Sequence, residues 1–108
     1  MLFTGFTITF LKEFAYGIGL TLPLLTSLAI VITLMGQIVG RREGWSSFDS
    51  FYWSFVTATT IGYGDIRPVE RVSRILAILI GFLGLIMSGI LIAVAVQAAT
   101  LALHRIGS

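Results

Sequence analysis

Hydrophobic positions along the chain fall into two long blocks separated by a shorter, polar centre. The first block runs over residues 14–39 and contains nothing more polar than Thr21, Thr26, Ser27, Thr33 and Gln37. It exceeds the ~20 residues that carry a helix across a ~30 Å hydrocarbon layer, so it predicts one membrane crossing. Pro23 lies inside it, where membrane helices tolerate the loss of one backbone hydrogen bond if neighbours satisfy the freed carbonyl. The second block, residues 75–103, has no charged residue other than its flanks and would reach ~43 Å as a helix, which predicts a tilted or projecting second crossing. Ahead of the first block, Phe3, Phe6, Phe10 and Phe14 recur every three or four residues among Thr4, Thr7, Thr9, Lys12 and Glu13. That period predicts an amphipathic helix over residues 1–13, read either as an interfacial helix or as an extension of the first crossing. No basic residues precede the apolar ones, as they would in a cleavable signal peptide.

The centre holds the local chemistry. Ser46 followed by Asp49 is a helix-start pattern, and it predicts a helix over residues 47–58. Such a helix spans only ~18 Å, so it can enter a membrane without crossing it. Its C-terminal carbonyls would then aim toward the membrane centre, where a helix end carries about half a negative charge. Directly after it comes Thr59-Thr60-Ile61-Gly62-Tyr63-Gly64-Asp65. Two alternating glycines inside a membrane-bound segment leave backbone carbonyls without a helix, at a cost of several kcal/mol per unsatisfied group. Glycine also permits the left-handed dihedrals that turn successive carbonyls toward one axis, where they can replace the water around a cation.

Thr60-Ile61-Gly62-Tyr63-Gly64 followed by Asp65 resembles the selectivity filter of the potassium channel family, and residues 51–58 resemble that family's pore helix. The likeness covers about two-thirds of the chain, from near Gly40 onward. It implies an all-α membrane protein in which two transmembrane helices, over 14–39 and 75–103, flank a re-entrant pore helix (47–58) and a filter (60–65). It further implies a homotetramer around a central pore, in a lipid bilayer, with K+ as the permeant ion and no enzyme activity. K+ would be held by the carbonyls of Thr60, Ile61, Gly62 and Tyr63 and by the Thr60 hydroxyl. Gly64, Asp65, Trp53 and Tyr52 would support the filter: the Tyr63 ring would pack on Tyr52 and Trp53, and Asp65 would accept from the Trp53 indole N–H. Interface-belt aromatics are the alternative reading of Tyr52 and Trp53. By the same likeness Gly84 takes the position of a gating hinge, with a packing notch as the alternative. Ser88, Ile92 and Val96 would line the cavity, although their spacing also fits ordinary helix packing.

Two positions depart from relatives. Val56 stands where some have a glutamate that pairs with the equivalent of Asp65, so Val56→Glu is expected to change the decay of macroscopic current. Arg67 stands where some carry an aromatic that binds external quaternary ammonium; a contact with lipid headgroups or with Glu70 is its alternative reading. Asp in place of Tyr63 marks relatives that pass sodium and potassium alike.

Composition agrees with a membrane protein: 108 residues, 56% hydrophobic and 11% charged, with a mean hydropathy of +1.00. There is no cysteine, hence no disulfide or thiolate metal site, and the net charge of +2 comes from scattered basic residues that form no nucleic-acid patch. Arg41, Arg42, Arg67, Arg71 and Arg74 lie in the centre, while Lys12 and Arg105 flank it. The positive-inside bias therefore places the centre in the cytoplasm. The family likeness places it outside, with both termini cytoplasmic in the plasma membrane, and the more specific motif is followed. His104 beside Arg105 is read as interfacial, with cytoplasmic pH sensing as its alternative. Neither an arginine-bearing voltage-sensing helix nor a ligand-binding domain is encoded in residues 1–108, and a cytoplasmic regulatory domain belonging to a longer protein stays open. A nonselective cation channel would share the architecture. A small multidrug transporter would need four crossings and a membrane-embedded glutamate, whereas two crossings fit here and Glu13 is at an edge.

Overall fold

A computed structural model describes residues 2–107, and side-chain surroundings for 2–105. It contains three helices: α1 (Leu2–Glu43), α2 (Ser47–Ala58) and α3 (Arg71–Gly107). Two of them, Leu2–Glu43 and the stretch Arg71–Arg105, are long and apolar enough to cross a membrane. α1 passes residue 13 without a break, so residues 2–13 continue the first long helix and are not a separate element. Lys12 and Glu13 do not interrupt it because both are good helix formers. The phenylalanines form a stacked stripe along it, with Phe6–Phe10 and Phe10–Phe14 centroids 6.2 and 5.7 Å apart. At 1.5 Å per residue α1 is ~63 Å long, about twice the hydrocarbon thickness.

The helices pack as two units. One joins α1 up to Leu24 with α3 from Gly89; the other comprises residues 25–88. In the second unit α1 ends in a Schellman turn: Gly44 has φ +78°, and the Trp45 amide donates to the Gly40 carbonyl at 2.9 Å. Ser46 then caps α2, its hydroxyl accepting from the Asp49 amide at 3.1 Å.

α2 is seated on α1 through small residues. Gly36 and Gly40 of α1 are buried against Ser54 and Ser50 of α2, which are themselves buried. The two serine hydroxyls donate back to their own helix, Ser54 to Ser50 O at 2.6 Å and Ser50 to Ser46 O at 2.8 Å. Each polar group is thus satisfied, and the two helix backbones approach closely. Around this seam Ile32, Val39, Trp53, Ala58, Ile80 and Met87 form the core. Lipid is as apolar as these side chains, so the drive is close packing and hydrogen bonding more than removal from water.

α3 begins at Arg71, four residues before the charge-free block. Its start is held by Glu43, whose carboxylate accepts from the Val69 and Glu70 amides at 2.8 and 3.1 Å. An ion pair between Arg42 and Glu70 lies beside it. The four orphan amides of a helix start are usually capped from nearby in sequence. Here the cap comes from the end of α1, which is why the charged residues Arg71 and Arg74 belong to the helix.

Candidate functional site

The site is built on the last turn of α2 and the loop that follows. Three consecutive carbonyls of that turn receive the loop's own amides. Phe55 O accepts from Thr59 N at 2.9 Å, and Thr57 O from Thr60 N at 3.2 Å; Val56 O takes both Ile61 N and Gly62 N, at 3.1 and 3.3 Å. The amides of residues 59–62 are therefore turned toward the helix, and part of the helix end's negative potential is spent on them rather than on the membrane centre.

Beyond this anchor, positive φ occurs at every second residue: Thr60 +64°, Gly62 +60° and Gly64 +79°. For glycine that conformation costs little, but for threonine it is a strained one of the kind that collects at functional sites. Left-handed residues at alternate positions give the segment a backbone that is neither helix nor strand. The Thr60 hydroxyl donates to Thr59 O at 2.6 Å, which leaves its oxygen lone pairs available as acceptors.

The supports differ from expectation in one respect. Asp65 does not take its bond from Trp53. The Tyr52 hydroxyl donates to Asp65 Oδ2 at 3.0 Å, and Asp65 Oδ1 accepts from the Ile66 amide at 3.1 Å. Trp53 is 5% exposed and its ring is tilted against Trp45, with centroids 5.3 Å apart. Tyr52 and Trp53 are neighbours about 100° apart on α2, and it is the polar tip of Tyr52 that reaches the Asp65 carboxylate. The bond to Asp65 raises the Tyr52 pKa above the ordinary value of a phenol. The folded-state value is the higher one, so the bond's contribution is complete at neutral pH and is lost only as alkaline pH passes that raised value.

Tyr63 is 68% exposed and makes no ring contact with Tyr52 or Trp53 within the chain. Behind the loop, Tyr52, Trp53, Val56, Thr57, Asp65 and Arg67 help line a cavity of about 250 Å³. Val56 and Asp65 thus line a common space, and the hydrogen bond that Asp65 receives from α2 comes from Tyr52. Tyr52→Phe removes this hydrogen bond with little change of shape. It is expected to accelerate current decay severalfold, and equal decay in the two proteins would contradict a bracing role.

Gly84 lies inside α3, which runs through it without interruption. A Cβ there would overlap the carbonyl oxygen of Ala58 and stand 2.5 and 2.6 Å from Ala58 Cα and C. Residue 84 is therefore where α3 touches the backbone from which the loop hangs. Ile92 and Val96 are exposed on α3 at 63% and 59%, with Ser88 one turn before Ile92. Sequence reasoning missed the Gly36/Gly40 seam, although two glycines four apart in an apolar helix are a legible signal for close helix approach.

Two long apolar helices with a short helix and a strained glycine loop between them define an integral membrane protein of pore-loop type. Residues 1–100 match the family model described as an ion channel, and the chain belongs to that family. It is similar to a TWiK family potassium channel protein 7 of Caenorhabditis elegans, 48% identical over 46 residues, which cover 42% of this chain and 8% of that protein. It is also similar to a voltage-gated potassium channel of Aeropyrum pernix, 40% identical over 40 residues (37% of this chain, 14% of the other). A two pore potassium channel a of Oryza sativa is 33% identical over 69 residues (64% and 20%). The chain therefore spans a fifth or less of the length of these relatives. No solved structure matches the chain.

Proposed function

We propose that this chain forms a potassium-selective pore as a homotetramer, conducting dehydrated K+ passively through a ring of backbone carbonyls. The alternation of positive φ at Thr60, Gly62 and Gly64 carries the reading, since it supplies a row of oxygens with no side-chain ligand. The carbonyls of Thr60, Ile61, Gly62 and Tyr63 and the Thr60 hydroxyl would give successive sites. An ion moving between them exchanges one set of oxygens for the next, and mutual repulsion of neighbouring ions keeps exit fast.

One chain supplies only one row of oxygens, so closure requires copies related by rotation. The exposed aromatic side chains Phe48, Phe51 and Tyr63, and Phe82, Leu85 and Ile86 of α3, are the surfaces available to such copies. Tyr63, unpacked within its own chain, would find its partners on a neighbour. Ile92 and Val96 would line the conduit below, with Ser88. The relatives' names as potassium channels support the choice of ion. The reading places both termini in the cytoplasm of a cell membrane.

The test is the reversal potential of purified protein in planar bilayers, with potassium on one side and sodium on the other. A value at the potassium limit is expected, whereas robust current reversing near zero would make the pore nonselective. At the outer mouth the Arg67 side chain approaches Gly64, and four arginines would repel an external cation. External tetraethylammonium should block weakly, and Arg67→Tyr should strengthen block about tenfold. Strong block of the unaltered protein would contradict this.

A further inference from the structure

We propose that the cleft between the first half of α1 and the last half of α3 binds a cationic amphiphile, an apolar chain bearing a protonated amine or quaternary ammonium, with its charge seated on Glu13. The cleft has a volume of about 430 Å³, within the roughly 300–1,000 Å³ typical of small-molecule sites. Leu20 of α1 and Ile90, Val94 and Leu101 of α3 give it apolar walls, and Glu13 is the one charged residue that lines it. Its floor is fixed where the helices come closest: a Cβ on Gly17 would stand 2.6 Å from a Val94 methyl.

One ion pair at the cleft is asymmetric. Glu13 Oε1 lies 2.7 Å from Arg105 Nη1, yet the Glu13 side chain is 12% exposed and that of Arg105 62%. Glu13 is among the lining residues and Arg105 is not. A ligand inside the cleft therefore lies against Glu13, while the guanidinium holds the carboxylate from the more exposed side. A carboxylate on an apolar wall requires a cation close by, because its desolvation is otherwise uncompensated. A largely solvent-exposed guanidinium holds it only weakly and can be displaced by an ammonium that brings an apolar chain with it. An anionic amphiphile in the same cleft would set like charges together, with no cation on the wall to receive it.

Binding can be measured by calorimetric titration of the purified full chain in uncharged detergent with decyltrimethylammonium, decanoate and decanol. Decyltrimethylammonium should saturate at one per chain. Glu13→Gln should weaken it on the order of tenfold, and Arg105→Gln, which removes the internal competitor, should tighten it. Ala93→Phe, which fills the cleft and leaves the carboxylate in place, should abolish it, so the test survives if Glu13→Gln folds poorly. Equal affinity for decanol, or no change in Glu13→Gln, would overturn the proposal. So would the opposite pattern, decanoate binding that Arg105→Gln removes and Glu13→Gln improves, which would mark an anionic lipid site. Absence of any binding would show the cleft covered in the assembled protein and would overturn it as well. None of these readouts depends on ion conduction, so their failure is separate from failure of the channel reading.

Discussion

Gly84→Ala is expected to abolish selective potassium current and to lower the thermal stability of the protein. The new methyl would fall on the Ala58 carbonyl oxygen, and backbone cannot swing aside as a side chain does. Either α3 moves away from α2 or the last turn of α2 is displaced. In both cases the amides of residues 59–62, which bond to the carbonyls of residues 55–57, lose their fixed reference. Overpacking of this kind typically costs about 1–3 kcal/mol per site, and a tetramer would meet it four times. A hinge role makes a different forecast: alanine would stiffen α3 and change how often the pore opens, while selectivity and melting temperature stay as they were. Reversal potential and thermal unfolding, measured together on Gly84→Ala, separate the two. Unaltered values of both with altered opening would restore the hinge.

Gly36→Val is expected to be the most destabilising change in α1. A Cβ on Gly36 would overlap Ser54 Oγ and lie 2.8 Å from Ser54 Cβ, with the Ser50 carbonyl at 3.3 Å. Ser54 cannot turn out of the way at no cost, because its hydroxyl is bonded to Ser50 O and the side chain is fully buried. Gly36→Ala should show a smaller effect of the same sign, about 1–3 kcal/mol, and Ser54→Gly should partly rescue it by clearing the space. Gly19 and Gly81 are the controls, since a Cβ at either has nothing within 4 Å. Alanine there should be neutral or stabilising by up to about 1 kcal/mol, the ordinary gain of a helical Gly→Ala change. The fraction of assembled protein after heating in detergent reads all five. Equal losses at Gly36 and Gly81 would mean that the seam between α1 and α2 is not specific.

What could be read in advance was whatever the chain states locally. Ser46 and Asp49 lie within one turn of the helix they begin, and the glycines of the loop stand beside the residues whose conformation they permit, so the helix start and the unusual backbone were both legible. Contacts between distant residues were not. Nothing near Tyr52 indicates that it, and not Trp53, reaches Asp65 thirteen residues on, because the choice depends on the rotation of α2 about its axis. The start of α3 was misplaced by four residues for a similar reason: Glu43, which holds the Val69 and Glu70 amides just ahead of it, lies 26 and 27 residues upstream of them. Gly84 had two readings because a helical pattern cannot say what backbone lies opposite. The glycines at 36 and 40 are a different case, since their spacing is visible in the sequence and only their partners, Ser50 and Ser54, are remote.

Glu43 also bears on how this chain tolerates change in length. By accepting from the amides of Val69 and Glu70 it ties together the two feet of a long segment, and the small-residue seam holds α2 independently of what joins it to α1. The closing entropy of a loop grows only logarithmically, about 0.6 kcal/mol for each doubling. Residues inserted between Trp45 and Ser46, after the Gly44 turn and ahead of the Ser46 cap, would therefore lengthen an already fastened span at small cost. The connection between α1 and α2 is thus where this chain can acquire new surface without disturbing the loop that follows α2.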